Sequence, residues 1–498
     1  MKRIFVFVVV FLLGFGFSST WAQDGAKCLV RVSGLESKEI KAFMDGGSDI
    51  AARGNDWLEM VVSQDELAMM KKAGRRVRAM IPDLDAYVKQ RLDMQTVEAK
   101  YRTCEEVAST LQNWAASWPS ILRIESIGKS HEGRDIWAVK LSQSPSVDTK
   151  KTAVLLMGAH HAREWTSFEV PMSILETLLR SYGKNERLTR LVNERELWFV
   201  PVVNPDGVTY SQKGAKFWRK NRRPMANNAF GVDLNRNYDY HWAESGVSSS
   251  PSGETYPGPK GFSEPEIFAI KVLAEREQFQ ASLSFHSYSQ LVLYPFAYAY
   301  NVPNPEEAVY KDLGKQMAVF NKYKVQNCTE LYPAAGISDD WLYGVLKTLA
   351  FTFEMGREFI PAPAEIASQC ALNVPAALVL IEQAAAAAVN VPSGDPALVG
   401  NLDFADGMAA LNLGQRLMPN YSGDSREWSA SRLMGVARRT ASLATERILD
   451  GDEMVLRTIK NSSAASTLVP LVRSCLRFES CHGRTIPASV FEQLPLSR

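Results

Sequence analysis

Short stretches of alternating apolar and polar residues mark the chain between residues 28 and 80. Alternation predicts strands, and two stretches with apolar residues three to four positions apart predict helices that glycines end. The predicted elements are, in chain order, strand 28–33, helix 36–44, strands 49–53 and 57–62, helix 64–73 and strand 75–80. This β-α-β-β-α-β order is that of a ferredoxin-like fold. We therefore predict a small, separately folding α+β domain, followed by a helical connector over residues 83–92.

After residue 100 the pattern changes to short apolar runs separated by long stretches of helical and polar sequence. Runs of strand length predict buried strands, and the intervals between them leave room for helices on both faces of one sheet. The predicted strands are 122–127, 136–141, 153–157, 197–203, 283–286 and 349–354. The fold class is therefore α/β, with a mixed central sheet flanked by helices.

Two finer features of this region also lead to expectations. Thr166 and Glu169 have capping-box spacing, which predicts that a helix begins at Thr166. The long stretch 207–261 shows no clear period, and loops of such length usually carry function. We expect part of the active site there.

The two ends of the chain are predicted to stand apart from these domains. Lys2 and Arg3 precede an apolar segment over 4–17 and small residues up to Ala22, which is the order of a secretory signal peptide. We expect cleavage after Ala22, because the apolar segment is shorter than the roughly 20 residues of a membrane-spanning helix. The protein is then secreted or periplasmic. Residues 397–498 are predicted to be mostly helical, and no catalytic motif assigns them a role.

Positive and negative side chains nearly balance, with 56 lysines and arginines against 55 aspartates and glutamates. This balance gives no electrostatic case for nucleic acid or anionic membranes as partners. We expect a monomer without stable membrane association once the signal peptide is removed. Six cysteines are compatible with disulfides in an exported chain, and Cys475 with Cys481 is the nearest pair in sequence.

Candidate chemistry begins where the apolar run Ala153–Met157 ends at Gly158. His161 and Glu164 follow in an H-x-x-E relation, so an imidazole and a carboxylate can converge on one metal ion. The spacing favours His161 over His160, although a hydrogen-bonded turn explains the same residues. His286, at the end of another predicted strand, is the candidate third ligand. Three protein ligands and a water molecule are the usual layout of a catalytic zinc site.

Polar residues beside predicted turns and strand ends supply further candidates. Arg219 lies in the segment 216–222, and Asn235 and Arg236 lie in the segment 231–237. A guanidinium group matches a carboxylate with two parallel hydrogen bonds, although a solvated basic loop is the plainer interpretation. Glu354 ends an apolar run, and such surroundings disfavour a charged carboxylate and favour a general base.

Six motifs occur in one order along the chain: His-Ala-Arg-Glu-Trp at 161–165, Phe-Trp-Arg-Lys at 217–220, Val-Asp-Leu-Asn-Arg-Asn at 232–237, His-Ser-Tyr-Ser-Gln at 286–290, the segment 332–341, and Phe-Thr-Phe-Glu at 351–354. Together they resemble the zinc metallocarboxypeptidases of the carboxypeptidase A/B type. The resemblance covers residues 101–390, so a catalytic domain over 100–390 is expected. The activity it implies is hydrolysis of the C-terminal peptide bond of peptides and proteins.

The resemblance implies a role for each motif residue. One Zn²⁺ per chain would be held by His161, Glu164 and His286, with water in the fourth position. Glu354 would act as general base and Arg219 would stabilise the oxyanion. The remaining expected substrate-binding residues, most of them contacts of the terminal carboxylate, are Arg163, Asn235, Arg236, Tyr332 and Tyr288.

Specificity is expected to depend on the residue at the floor of the side-chain pocket. By the resemblance Asp339 lies there, next to Asp340 and Trp341. Relatives with an acid at this place resemble the B type and prefer C-terminal Lys or Arg, because a buried carboxylate favours a cationic partner. The expected preference is for C-terminal Lys or Arg, or a mixed specificity that also includes apolar residues. The alternative is that Asp339 turns outward as a solvated acid.

The resemblance also gives the N-terminal domain a role. Secreted enzymes of this type are often made with a ferredoxin-like prosegment that covers the active site, so residues 23–95 are expected to be an inhibitory propeptide. Two other functions are alternatives for this sequence. The first is a peptidase that acts on peptidoglycan stems with the same zinc site. The second is a catalytically dead, peptide-binding relative. Such a relative would have lost a metal ligand or the general base, and this chain retains the three ligands and the base.

Overall fold

The fold is described from a computed structural model, which covers residues 27–93, 99–147, 151–226 and 229–388. The predicted signal peptide, the predicted helical region 397–498 and the pair Cys475 and Cys481 lie outside these residues. Within them the chain forms two sheets, one of four strands and one of eight.

The four-stranded sheet confirms the ferredoxin-like prediction. Its elements are β1 (Lys27–Ser33), α1 (Ser37–Asp45), β2 (Ile50–Arg53), β3 (Trp57–Ser63), α2 (Gln64–Lys72) and β4 (Arg76–Ile81). The strands pair antiparallel in the order β2-β3-β1-β4. Every second residue of β1 is buried, so Cys28, Val30 and Val32 pack under the two helices. The connector α3 (Leu84–Leu92) follows, and the Asp83 side chain caps it by accepting from the Ala86 amide at 2.9 Å.

The eight-stranded sheet confirms the predicted mixed α/β architecture. Its strands are β5 (Leu122–Lys129), β6 (Asp135–Leu141), β7 (Thr152–Gly158), β8 (Arg195–Val200), β9 (Ala281–His286), β10 (Leu291–Tyr294), β11 (Lys324–Asn327) and β12 (Leu349–Glu354). They lie in the order β11-β10-β12-β9-β7-β8-β6-β5. The central four, β12, β9, β7 and β8, are mutually parallel, and β6 and β10 join them antiparallel. At the two edges, β5 pairs antiparallel with β6 and β11 pairs parallel with β10.

Eight helices cover both faces of this sheet within the described ranges. They are α4 (Cys104–Ser117), α5 (Thr166–Ser181), α6 (Glu186–Glu194), α7 (Pro205–Lys213), α8 (Pro265–Glu277), α9 (Glu307–Asn321), α10 (Ser338–Leu346) and α11 (Ile366–Ala388). Strand β7 shows how the core is divided: Leu156 packs with α5 and α11 on one face, and Leu155 packs with α8 and α10 on the other. A parallel strand buried on both faces has to be apolar throughout, as β7 is.

Three local expectations were wrong or incomplete. Helix α5 begins at Thr166 as expected, but without the capping box: its N-cap is Trp165, and Glu169 accepts from the backbone amide of Arg102 at 2.7 Å. The stretch predicted as irregular begins inside the helix α7, which starts at Pro205 and is capped by the Asn204 side chain. Strands β10 and β11 were also not predicted, and each has four residues.

One described helical stretch, Pro363–Ala384, is long and apolar enough by composition to cross a membrane. In this fold it includes most of α11, which packs along α9 and α5. Its residues Leu380 and Ile381 are buried in the same core as strand β7. The apolar composition is therefore explained by core packing.

Candidate active site

The loop after β7 is held against the rest of the domain by close backbone contacts. Gly158 ends the strand where a Cβ atom would lie 2.2 Å from the carbonyl oxygen of Ser167, so only glycine fits. Beyond it, the Ala162 amide donates to the carbonyl oxygen of Arg219 at 2.9 Å. This bond ties the His-Ala-Arg-Glu segment to the segment that carries Arg219.

His161, Glu164 and His286 converge at the ends of β7 and β9. Glu164 places one carboxylate oxygen 2.8 Å from His161 Nδ1 and the other 2.9 Å from His286 Nδ1. The two Nδ1 atoms are 3.1 Å apart, and all three side chains are buried. Three ligand atoms within 4.8 Å of one another fit a single zinc ion. The neighbouring His160 points elsewhere, toward Tyr238.

Both imidazoles use their second nitrogen for a partner in the protein. His161 Nε2 lies 3.2 Å from Asp233 Oδ1, and His286 Nε2 lies 3.1 Å from Ser284 Oγ. A hydrogen bond at Nε2 leaves Nδ1 as the free donor atom for a metal. Burial alone would raise the pKa of the Glu164 carboxyl, but His161 and His286 outweigh burial and hold that pKa below its ordinary value. The donor set therefore suits a divalent cation.

Asp233 connects the metal-ligating cluster to the arginine beside it. Its second oxygen accepts from Arg219 Nε at 3.0 Å and from Arg219 Nη2 at 2.8 Å. Burial opposes the negative charge, yet Arg219 and His161 hold the pKa of Asp233 well below its ordinary value. One buried carboxylate thus orients an imidazole and a guanidinium together.

Glu354 ends β12 directly beside His286. The parallel strands β9 and β12 pair these two residues in register, so both side chains emerge at the same sheet edge. Burial raises the pKa of the Glu354 carboxyl to about 8, and Glu164 adds to the shift while the charges of His286 and Arg219 oppose it. A carboxyl titrating near neutral pH, next to a metal site, is suited to proton transfer.

Asn235 and Arg236 lie in a short 3-10 turn opposite the start of α10. Asn235 Oδ1 accepts from the Ser338 amide at 3.0 Å. Arg236 donates to the carbonyl oxygens of Gly246 and Asn235 at 3.1 and 2.7 Å, and its guanidinium lies 5.9 Å from the ring centre of Tyr332. These bonds hold a guanidinium and an amide side by side.

Comparisons with known proteins agree with this geometry. The family model described as zinc carboxypeptidase matches residues 107–376, more than half of the chain. The chain belongs to the zinc carboxypeptidase family. A zinc carboxypeptidase of Saccharothrix mutabilis subsp. capreolus is 32% identical over 357 residues, covering 66% of this chain and 82% of the relative. Human carboxypeptidase B is 32% identical over 331 residues, covering 64% and 77%.

Among solved structures, carboxypeptidase A from Helicoverpa armigera aligns with a TM-score of 0.66 at 23% identity. The alignment covers 74% of this chain and 99% of that one, which shows a shared fold. The resemblance drawn from the six motifs is thus confirmed. The protein is a zinc-dependent metallocarboxypeptidase, a hydrolase that acts on the C-termini of peptides.

Asp339 of this carboxypeptidase turns inward and is fully buried, which rules out the solvated alternative. It accepts hydrogen bonds from Thr352 Oγ1 at 2.8 Å and Ser338 Oγ at 3.1 Å. Burial raises its pKa to about 6, and both hydroxyl groups oppose the shift. Asp340 has a different environment, because it accepts from the amides of Ala297 and Tyr298 and thereby caps that turn. Nearby, apolar residues form one buried cluster: Leu291, Leu293, Ala297, Cys328, Leu331, Ala334 and Ile337.

The ferredoxin-like unit of the carboxypeptidase lies against the substrate-binding candidates. Asp49, just before β2, forms two parallel hydrogen bonds with Arg163, one of 2.6 Å, and lies 4.0 Å from Arg219. Tyr288 donates to Glu59 of β3 at 3.3 Å. Tyr332 packs against the core of the same unit. The N-terminal unit therefore covers the site.

Sequence reasoning missed two residues that organise the site of this carboxypeptidase. Asp233 belongs to the motif Val-Asp-Leu-Asn-Arg-Asn at 232–237. Its place two residues before Asn235 was the sequence feature that could have indicated a role in the site. Asp49 had no signal at all, because its partner Arg163 is 114 residues away.

Proposed function

We propose that this zinc carboxypeptidase is exported as a precursor and, once its prosegment is removed, releases C-terminal lysine or arginine. The observation that supports the basic preference is the buried carboxylate of Asp339. Within the described ranges it has two hydroxyl partners and no bond to a cationic side chain. A lysine or arginine side chain of the substrate would supply that charge.

Zinc is held in this proposal by His161, Glu164 and His286. When bound, zinc supplies a Lewis acid that polarises the scissile carbonyl and lowers the pKa of a water molecule. The buried Glu164 carboxylate supplies one negative charge toward the ion, and Asp233 orients His161 from behind.

Glu354 acts as general base and then as general acid. Its carboxylate takes a proton from the attacking water and passes that proton to the leaving nitrogen. Burial favours the protonated carboxyl, while the positive charges around it favour the carboxylate, so the group can both take up and release a proton. Its register beside His286 keeps the carboxylate next to the reacting carbonyl.

Arg219 stabilises the oxyanion that develops on the scissile carbonyl. Burial opposes its charge, but the neighbouring Asp233 carboxylate raises the pKa of the guanidinium and remains in the catalytic domain when the prosegment leaves, so Arg219 stays charged. Because two bonds to Asp233 fix the guanidinium, little reorganisation is needed as the charge develops.

The terminal carboxylate of the substrate is bound by Asn235, Arg236 and Tyr332. Arg163 is an auxiliary contact of the same carboxylate, and Tyr288 is a further substrate-binding residue. A guanidinium beside an amide matches a carboxylate, and an internal peptide bond offers no such group. This requirement limits cleavage to the last residue.

Residues 23–95 form the inhibitory prosegment and residues 100–390 the catalytic domain. Asp49 places a carboxylate on Arg163 within 4.0 Å of Arg219, where the backbone or an acid of a substrate would otherwise lie. We propose that the signal peptide 1–22 directs export to the periplasm or the medium, and that the enzyme acts as a monomer.

The test uses purified protein and peptides that differ only in the last residue: Arg, Lys, Phe, Ala and D-Ala. Mass spectrometry follows release before and after limited trypsin treatment, with and without a zinc chelator. We expect release of Arg and Lys that trypsin raises and chelation abolishes. Faster release of Phe than of Arg would refute the basic preference, and turnover of D-Ala alone would favour a peptidoglycan peptidase.

A further inference from the structure

A row of hydrogen-bonding groups leads away from the metal-ligating cluster on the far side of His286. His286 Nε2 lies 3.1 Å from Ser284 Oγ, and Ser284 Oγ lies 3.4 Å from His160 Nδ1. The second nitrogen of His160 lies 2.8 Å from the phenolic oxygen of Tyr238. Four side chains thus form one continuous row that starts at a zinc ligand.

All four side chains of this row are buried within the core. Ser284, His286, His160 and Tyr238 each have 0% exposure. The His160 ring also stacks on the His286 ring, with centroids 5.5 Å apart and planes 15° from parallel. An imidazole without solvent access needs partners for both nitrogens, because a buried polar group without a hydrogen bond destabilises the folded state. His160 meets this requirement with Ser284 beside Nδ1 and Tyr238 beside Nε2.

We propose that Ser284 and His160 are positioning residues for the zinc ligand His286, with Tyr238 as the outer end of the row. The inference rests on the proposed role of His286 as a ligand. Ser284 fixes the ring of His286 so that Nε2 carries the hydrogen and Nδ1 faces the metal. His160 in turn fixes the Ser284 hydroxyl, and Tyr238 fixes His160.

The physical basis is the choice between two tautomers of a neutral imidazole. A partner at Nε2 selects the tautomer whose Nδ1 has a free electron pair, and it restrains rotation of the ring. Losing such an outer partner typically lowers metal affinity by about 10- to 100-fold. The hydrogen bonds of His160 reach His286 only through Ser284, and phenylalanine keeps a ring that can stack on His286, so His160→Phe should have no further effect when the Ser284 hydroxyl is already absent.

The chain offers a matched control on the same strand. Ser282 lies two residues before Ser284 in β9 and is equally buried, but its hydroxyl has no hydrogen-bond partner. A serine-to-alanine change at 282 therefore removes the same atom without touching the row. Any effect shared by Ser282→Ala and Ser284→Ala would come from strand packing.

The experiment measures zinc dissociation constants by chelator competition for the full chain and for Ser282→Ala, Ser284→Ala, His160→Phe, His160→Asn and Tyr238→Phe. We expect Ser284→Ala to weaken zinc binding about 10- to 100-fold and Ser282→Ala to change it less than twofold. His160→Asn keeps a polar atom facing Ser284, so it should retain more affinity than His160→Phe. Tyr238→Phe keeps the ring and removes only the hydroxyl group, so it should lower zinc affinity measurably but less than Ser284→Ala does.

A double mutant and a spectrum separate positioning from packing. The double mutant Ser284→Ala/His160→Phe should bind zinc as tightly as Ser284→Ala alone. The absorption spectrum of the Co²⁺-substituted protein should change in Ser284→Ala but not in Ser282→Ala. Additive losses, or zinc constants within twofold of the unmodified chain in both single variants, would overturn the inference. Failure of the unmodified chain to bind zinc would instead refute the proposed ligand set.

Discussion

The contact between Asp49 and Arg163 offers the sharpest test of prosegment inhibition. Both side chains are almost fully buried, with 4% and 0% exposure, and they share two hydrogen bonds. Removing one partner of a buried ion pair typically costs about 3 to 5 kcal/mol, because the other charge remains buried without compensation. Water entering the space left by Asp49→Ala reduces the penalty, so we take the lower end. A loss of about 3 kcal/mol, at 1.36 kcal/mol per factor of ten, changes the equilibrium between the covered and the open form by roughly 100-fold in favour of the open form.

The assay is hydrolysis of a short peptide ending in arginine by the uncleaved precursor, with chain integrity checked on a gel. We expect Asp49→Ala to raise precursor activity by about 100-fold, up to the limit set by the trypsin-treated enzyme. The activity of the Asp49→Asn precursor should lie between those of the unmodified precursor and of Asp49→Ala, because asparagine keeps the side-chain volume and removes the charge. Asp56→Ala is the control, since Asp56 is exposed near the same strands.

Two results would refute this reasoning. If the Asp49→Ala precursor is as inactive as the unmodified one, while both have equal activity after trypsin, the contact does not maintain inhibition. If the unmodified precursor is already fully active, the N-terminal unit does not inhibit at all.

Three further predictions concern the catalytic domain. Asp339→Asn should lower kcat/KM for C-terminal arginine about 100-fold or more while leaving phenylalanine nearly unchanged, and an unaltered Arg-to-Phe ratio would contradict the pocket assignment. Glu354→Gln should lower kcat by about 10²- to 10⁴-fold with one zinc still bound per chain, and a variant that keeps a tenth of the activity would exclude Glu354 as the base. Glu266, fully buried beside Glu264 at the start of α8, has its pKa raised to about 7 by burial first and by Glu264. A raised carboxyl pKa contributes stability below about pH 4.5 that is lost as the pH rises through 7, so Glu266→Gln should raise the melting temperature more at pH 8 than at pH 5; equal shifts would contradict this sign.

Much of the fold was predictable because its buried elements have strong patterns. Strands β7 and β12 are nearly continuous apolar runs, which is typical of parallel strands covered on both faces. Helix α7 was missed because it begins with Asn-Pro-Asp-Gly, a sequence typical of turns, and only the Asn204 cap and the surrounding core make it helical. Strand β11 was missed because it is a four-residue edge strand, Lys-Val-Gln-Asn, in which only Val325 is apolar.

The site was predictable where its residues follow strand ends in short motifs, as His161 and Glu164 do. Contacts between segments that are distant in sequence were not predictable, because no local sequence pattern indicates them. The bond from Asp49 to Arg163 joins two separately folded units, and the row from His286 to Tyr238 depends on which way buried rings turn. His160 was correctly excluded as a metal ligand, but its hydrogen bonds could be identified only in three dimensions.

The pairing of His286 with Glu354 across β9 and β12 has a consequence for how this enzyme can vary during evolution. The distance between ligand and base is set by the spacing of neighbouring strands, about 4.8 Å, which no side-chain substitution alters. Connecting loops can gain or lose residues without changing it. Deletion of one residue early in β12 would instead place Met355 beside His286 and turn the apolar faces of the strand over. Lineages that keep this sheet can therefore diversify their substrates freely while the reaction itself stays the same.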